Sequence, residues 1–284
     1  GVSRSVAEII SKISDKYIDN IEELRMRIGK PLMINCGRMD YMVSPAGILT
    51  GIAQEAYIVT GADCEMTIQL LSNYSIYAFE EELRNGYITL KGGHRVGIVG
   101  KAVLEDGKIR TLKNISGFNI RISRQVIGAA DSVMKYLVKK NNDIYNTLII
   151  SPPQCGKTTL LRDIIRQISD GVRSFGITGL KVGLVDERSE IAGSYFGIPQ
   201  NDVGLRTDVL DGCPKSSGLI MLIRSMSPQV VATDEIGSIN DAEAIYEALN
   251  AGIRLLTTIH GDSLDDILNR PYIGDVIKNK VFER

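Results

Sequence analysis

The sequence has few of the side chains that build disulfide frameworks or zinc sites. It contains four cysteines and two histidines in 284 residues, and no two cysteines form a C-x-x-C pair. The wide spacing of the cysteines predicts free thiols in a reducing compartment. With only His94 and His260, a histidine-rich zinc site is not expected.

The chain also lacks an excess of charge and any long apolar run. Its net charge is −1, so the strongly basic surface of a nucleic-acid-binding protein is missing and no direct nucleic-acid binding is expected. No apolar run approaches the ~18 residues that span a bilayer, and the N-terminus shows no signal-peptide pattern. We therefore expect a cytoplasmic protein whose contact with a membrane runs through partner proteins.

What is present is a composition typical of a soluble globular protein with a sizeable core. Hydrophobic residues make up 44% and charged residues 24% of the chain, and its length indicates one large or two ordinary domains. We expect an α+β N-terminal domain over residues 1–128. Its predicted elements are a helix, two strands, two helices separated near residues 73–75, and strands with Gly-rich turns, over 3–18, 22–28, 32–35, 63–84 and 87–123.

The second half alternates short β-branched runs with helical patterns. An amphipathic pattern over 129–140 predicts a linker helix within a connection that ends at residue 146. From 147 to 284 we expect a mostly parallel sheet covered by helices, an α/β domain. The predicted strands are 147–150, 182–185, 230–233 and 254–258, and the predicted helices start at Lys157, Ser216, Asn240 and Ser263.

The stretch 148–161 has the layout of a P-loop, or Walker A motif: an apolar strand, a tight turn and the start of a helix. Gly156 lets the backbone approach an anion, Lys157 reaches the terminal phosphates, and the Thr158 hydroxyl is a Mg²⁺ ligand. The first glycine of the motif is replaced by Ser151, and two prolines follow it. A chance strand–turn–helix is the alternative. The predicted nucleotide-binding residues are Ser151, Pro152, Pro153, Gln154, Cys155, Gly156, Lys157, Thr158 and Thr159.

Two later strands each end in a pair of carboxylates. Asp234 and Glu235 follow the strand at 230–233, as in a Walker B motif, where Asp234 is a candidate metal ligand and Glu235 a candidate base for the attacking water. Asp186 and Glu187 repeat the design one strand earlier. Asp186 is a further candidate metal ligand, and Glu187 a candidate for shared activation of water. Either pair could instead be a charged turn.

A fourth strand ends in Thr258-Ile259-His260. A single histidine is usually a satisfied core or surface residue. Its position after another strand of the predicted sheet makes His260 a candidate sensor of the terminal phosphate.

A P-loop, an acidic box, a Walker B with glutamate and a Thr-x-His box, in this order, resemble the secretion ATPase superfamily of type II and type IV secretion and pilus motors. The resemblance implies a RecA-like ATPase domain that binds ATP and Mg²⁺, a hexameric ring, and coupling of ATP hydrolysis to a membrane secretion apparatus. The short end of the chain leaves open whether the motor domain is complete.

Three longer stretches, at 151–163, 185–191 and 193–200, resemble a sporulation branch of that superfamily. This narrower resemblance implies a motor in the mother-cell cytoplasm, peripheral at the membrane, that energises or assembles a channel to the forespore. The superfamily also completes its ATP site with arginines from the N-terminal domain, some of them across a subunit boundary. Arg95 and Arg121 lie in the matching region and are the candidates here.

The residues leave alternatives open. Residues 234–237 match the D-x-x-G of GTPases, but the guanine-reading Asn-Lys-x-Asp is missing. A RecA-like nucleic-acid motor would need a basic channel, which the near-neutral charge disfavours. A nucleotide-gated scaffold with little turnover would not need water-activating glutamates, so Glu235 and Glu187 favour hydrolysis.

Overall fold

The computed structural model divides the chain into two compact units, Gly1–Ser123 and Arg124–Arg284. The structure describes residues 1–37, 39–72, 83–84, 86–153 and 155–284. This boundary lies a few residues before residue 128, at which the sequence pattern ends the first domain.

The first unit is an antiparallel sheet with helices, as the prediction of an α+β domain requires. Its described strands are β1 (Ile21–Arg27), β2 (Met33–Cys36), β3 (Met39–Val43), β4 (Leu49–Thr50), β5 (Tyr87–Thr89), β6 (Arg95–Glu105) and β7 (Lys108–Arg121). They are ordered β4-β3-β2-β1-β7-β6-β5. The helices are α1 (Arg4–Ile10), α2 (Asp15–Ile18) and α3 (Gly61–Leu71). Met26, Leu32 and Ile34 are fully buried in the core of this unit.

Local chemistry explains where these elements begin and end. The helix predicted over 3–18 is two short helices, because the chain turns at Ser11 and restarts after Ser14. Helix α3 begins with a capping box in which Thr60 and Asp63 satisfy each other's backbone N–H groups. The second helix predicted within 63–84 lies largely outside the described residues. One of the Gly-rich turns predicted within 87–123 is a hairpin turn between paired β6 and β7, where Asp106 and Gly107 both have positive φ.

The second unit is a parallel sheet between helices. Its described parallel strands are β10 (Thr147–Ser151), β11 (Val182–Asp186), β12 (Thr207–Asp211), β13 (Val230–Thr233) and β14 (Arg254–His260), in the order β10-β14-β13-β11-β12. The four strands predicted for this half are confirmed, and β12 is an additional edge strand. The longer helices are α5 (Lys157–Asp170), α6 (Lys215–Met226) and α7 (Ile239–Asn250), followed by α8 (Leu264–Leu268) and α9 (Ile273–Lys278).

Alternate residues of each strand enter two separate cores. Val230 and Ala232 pack with Ile164 and Ile168 of α5, whereas Val231 packs with Ile245 of α7 and its neighbours on the opposite face. A parallel strand that is buried on both faces needs apolar residues at consecutive positions, which is what β13 has. The prediction of an α/β domain covered on both sides is confirmed.

The helix predicted over 129–140 is wrong in extent. Only α4 (Met134–Leu137) is helical, and the chain continues into a hairpin of β8 (Val138–Lys139) and β9 (Asp143–Ile144). Asn141 and Asn142 both adopt positive φ in the turn, which these residues tolerate and a helix does not. The buried side chains of this segment belong to the core of the second unit: Ala130, Met134, Leu137 and Ile144.

Among the described residues, no helix combines the length and the apolar character needed to cross a bilayer.

The strand order determines which of the predicted site residues lie close together at one edge of the sheet. Strand β14 lies between β10 and β13, with Ser151 level with His260 and Thr233 level with Thr257. Because parallel strands end at the same edge, residues that follow β10, β14, β13 and β11 meet there.

Candidate functional site

The phosphate-loop candidate starts at the end of β10 and ends where α5 begins. Gly156 has a φ of 82°, in the left-handed region, and a Cβ added there would meet nothing within 4 Å. Glycine is therefore needed at this position because the backbone has a positive φ, not because a side chain would lack space. The N–H groups at the start of the 14-residue α5 form an end suited to an anion.

Lys157 closes this loop on itself. Its side chain is buried, and Nζ donates to the carbonyl oxygens of Ser151 at 2.9 Å and Pro152 at 2.7 Å. Thr158 and Thr159 follow in the first turn of α5, half-buried, and Cys155 is exposed. Gln154, predicted as part of the loop, lies outside the described residues. The loop thus holds its ammonium group beside the helix N-terminus.

Asp234 comes directly after β13 and is 2% exposed. Its Oδ1 is buried and has no hydrogen-bond partner among the residues that the structure describes. Burial raises its pKa to about 7, helped by the negative charge of Asp186 and opposed by the positive charge of Lys215. A buried carboxylate oxygen without a donor fits a cation, and Mg²⁺ commonly uses one or two protein ligands together with phosphate oxygens and water. Asp234 and Thr158 are the residues that would hold it.

Replacing Asp234 with Asn should change how stability depends on pH. The pKa of about 7 in the folded protein lies above the ordinary 3.8, so the unfolded chain loses a proton that the folded chain keeps. The free energy of unfolding of the wild type should then fall as pH rises from about 4 to about 7, by up to ~4 kcal/mol from this group. Urea unfolding in EDTA at pH 4.5, 6 and 8 measures it.

The difference in unfolding free energy between Asp234→Asn and the wild type should grow across that pH window and then level off. The exposed carboxylate of Asp262 provides the matched control, Asp262→Asn. A difference that is the same at all three pH values would contradict the assignment.

Asp186 ends β11 and is fully buried. Its two oxygens accept N–H bonds from Glu190, Ile191 and Ala192 at 2.8–3.0 Å. Its pKa is raised because burial outweighs these bonds. In this conformation the carboxylate closes the loop that follows β11, and its role as a metal ligand stays a prediction.

The same loop is tied to the phosphate-loop helix. Arg162 of α5 is 6% exposed and donates through Nε to the carbonyl of Ile191 at 2.5 Å and through Nη2 to that of Glu190 at 2.6 Å. Burial lowers its pKa, with the charge of Asp186 opposing. The loop after β11 therefore takes its position from α5 as well as from the sheet.

Glu235 lies at the centre of the polar contacts at this edge. Its Oε1 is 2.7 Å from His260 Nε2, and its Oε2 accepts from Arg188 Nη1 at 2.8 Å. The backbone at Glu235 has a φ of 46°, and its N–H donates to Thr258 Oγ1 at 2.9 Å. A left-handed conformation is uncommon for a residue with a side chain. The strand end and the two neighbouring side chains thus fix where the carboxylate lies.

The remaining acids at this edge are paired. Glu187 forms an ion pair with Lys215 at the start of α6. Asp211, level with Asp186 on β12, accepts from Ser189 Oγ at 2.7 Å, and burial raises its pKa to about 6. Among the residues with described positions, no three or more of His, Cys, Asp and Glu form a metal cluster. A cation here would be held by Asp234 and Thr158 together with oxygens from outside the protein.

Apart from the two arginines, the described residues predicted for the site lie at or just after the ends of β10, β11, β13 and β14 in the second unit. Glu235 contacts His260, Lys157 contacts Ser151, and the charge of Asp186 acts on Asp234. Arg95 and Arg121 belong to the first unit, level with each other on β6 and β7. The guanidinium carbon of Arg95 lies 3.8 Å from the ring centre of Tyr87.

Sequence reasoning missed several residues of this edge: Arg162, Arg188, Asp211 and Lys215. Arg188 had a usable signal, because it directly follows the acidic pair at 186–187. Thr258 was noticed only as part of the Thr-x-His box. Asp211 and Lys215 belong to a strand end and a helix start that the sequence pattern does not join to the others.

Comparison with known proteins gives a family. The chain matches the family described as "Sporulation stage III, protein AA" over residues 2–284. It belongs to that family. It is also 44% identical over 281 residues to Stage III sporulation protein AA of Bacillus subtilis (strain 168), covering 99% of this chain and 86% of that protein. The resemblance to a sporulation branch is therefore confirmed.

Solved structures show the same fold at low sequence identity. The pilus retraction motor PilT, solved with bound ADP, aligns with a TM-score of 0.59 at 14% identity, over 96% of this chain and 71% of that one. The ATPase DotB of Legionella pneumophila aligns with a TM-score of 0.56 at 15% identity, over 91% of this chain and 69% of that one. The chain has the RecA-like fold of the secretion ATPases, with an N-terminal α+β region.

Proposed function

We propose that this chain is a Mg²⁺-dependent ATPase of the secretion-motor type. The observation that carries the proposal is the meeting of three strand ends at one sheet edge. Lys157 and the N-terminus of α5 follow β10, His260 ends β14, and Asp234 and Glu235 follow β13. This edge offers an anion cradle, a buried carboxylate for a cation and a second carboxylate for water.

Each residue has a role that its surroundings support. Lys157 and the α5 N–H groups bind phosphate, and Thr158 and Asp234 hold Mg²⁺, which would offset phosphate charge when bound. Glu235, whose carboxylate is held by His260 and Arg188, orients or deprotonates the attacking water. Glu187 supports this edge through Lys215. Arg95 and Arg121 are proposed to add positive charge near the terminal phosphate, as the resemblance to the secretion motors implies.

The cellular part of the proposal rests on the family and on the fold. The family is named for sporulation, and the solved structures of this fold include motors and ATPases. We infer a homo-oligomer, in the form of a hexameric ring, that works in the mother-cell cytoplasm. It would bind membrane channel proteins of the sporulation apparatus and energise or assemble that channel.

The test is phosphate release by the purified protein, with an oligomer-enriched fraction measured in parallel. We expect ATP hydrolysis that is about tenfold or more faster with Mg²⁺ than with EDTA, because the cation offsets phosphate charge. In a nucleotide-competition assay, ATP should compete better than GTP for the binding site. Tight ATP binding without turnover in every fraction would favour the nucleotide-gated scaffold, and stimulation by DNA or RNA would favour a nucleic-acid motor.

A further inference from the structure

The contact between Arg188 and Glu235 joins two loops of the second unit. Arg188 lies two residues after the end of β11, and Glu235 lies two residues after the end of β13. Their side chains meet at 2.8 Å, with Arg188 Nη1 donating to Glu235 Oε2. The other oxygen of Glu235 is taken by His260. The carboxylate is thus held from two different elements, one partner on each oxygen.

We propose that Arg188 positions the carboxylate of Glu235 for the reaction of this site. The inference rests on the proposed function, in which Glu235 acts on the attacking water. A glutamate side chain has three rotatable bonds, and a base must reach its proton in one geometry. The backbone of Glu235 is fixed by Thr258, but that bond leaves the side chain free to rotate. Arg188 and His260 together remove that freedom.

Arg188 is itself presented from a fixed base. On one side of it, Asp186 accepts three backbone N–H groups of the same loop. On the other side, the hydroxyl of Ser189 donates to Asp211 at 2.7 Å. Arg162 then ties the loop to α5 through two carbonyl oxygens. The base of the Arg188 side chain therefore keeps its place relative to the phosphate-binding helix.

Stability alone does not account for this pair. The side chain of Arg188 is 52% exposed and that of Glu235 is 25% exposed. Exposed ion pairs contribute little to folding, because water and salt screen them and ordering the side chains costs entropy. This contact has little effect on stability and lies at the residue proposed to act on water. It is better explained as a contact that holds the Glu235 carboxylate in position.

The kinetic test compares Arg188→Ala with the wild type. We expect turnover to fall about 10- to 100-fold, as misplacing a reacting group commonly does, while the dissociation constant for ATP stays within about twofold. Arg188→Lys, which keeps the charge but loses the planar fork, should recover part of the turnover. In a Glu235→Gln background, Arg188→Ala should cause no further loss. Arg4→Ala removes another exposed Arg–Glu pair and is the matched control.

A second readout does not depend on hydrolysis. The chain has two histidines, so an imidazole nitrogen NMR spectrum of labelled protein contains one pair of signals from His260 and one pair from His94. Arg188→Ala should shift the His260 signals, because its partner Glu235 moves, and leave those of His94 in place. Arg4→Ala should shift neither.

The two readouts separate the possible failures. An inactive wild type with a His260 shift in Arg188→Ala would overturn the proposed function and leave the contact standing. An active wild type with normal turnover in Arg188→Ala would overturn the inference alone. Additive losses from Arg188→Ala and Glu235→Gln would also overturn it, since they would mean that Arg188 acts through another residue.

Discussion

Glu235→Gln is expected to lower ATP turnover about 10²- to 10⁴-fold and to leave ATP binding within about threefold of the wild type. The amide keeps the size of the side chain and can still contact His260 and Arg188, but it cannot accept a proton from water. Binding should persist because the phosphate contacts come from Lys157 and α5. Phosphate release and equilibrium binding of a fluorescent ATP analogue, both with Mg²⁺, measure the two effects.

The matched control is Glu247→Gln, which changes an exposed glutamate on α7. Its turnover should equal that of the wild type. If Glu235→Gln hydrolyses ATP at the wild-type rate, Glu235 is not the base, and Glu187 becomes the candidate to test next. If Glu235→Gln also loses binding, the residue contributes to the shape of the site rather than to the chemical step.

Lys157→Met is expected to weaken ATP binding about 100-fold or more, because it removes the ammonium group that lies beside the phosphate-binding helix. The folded protein should tolerate the change. Methionine suits a buried, unbranched site, and the two carbonyls that Lys157 now binds belong to a half-buried and an exposed residue that water can reach. We expect an unfolding free energy within about 2 kcal/mol of the wild type.

Isothermal titration with ATP and Mg²⁺ measures the loss of affinity, and urea unfolding measures the stability. Lys278→Met, at an exposed lysine of α9, is the control and should change neither. Wild-type affinity in Lys157→Met would contradict the assignment of the loop at 151–157 and would point to an anion site elsewhere on the chain.

The parts of the site that follow from local sequence could be predicted. A β-branched run before Gly-Lys-Thr places Lys157 at a helix start, and the carboxylates at 186 and 234 directly follow apolar strands. Hydrophobic periodicity carries this information, because a parallel strand buried on both faces has to be apolar throughout. Parallel strands also end at one edge, so their meeting could be expected before their order was known.

What could not be predicted depends on pairing between distant segments. Nothing local shows that β14 separates β10 from β13, or that Arg188 reaches Glu235 across 47 residues. Strand β12 was missed because it is a half-buried edge strand with acidic residues. The helix expected over 129–140 failed for a local reason, since Asn141 and Asn142 form a hairpin turn where the pattern indicated only a polar helix end.

The position of β14 between β10 and β13 fixes the span of the site. Two ladder spacings of about 4.8 Å lie between β10 and β13, so the phosphate loop and the carboxylates after β13 start about 10 Å apart. The intervening strand β14 contributes to the site, because its Thr258 holds the backbone of Glu235 and its His260 holds the Glu235 carboxylate. The pairing of strands in the sheet thus sets the distance between the phosphate loop and these carboxylates before any ligand binds. Side-chain movements have to cover only the rest of that distance.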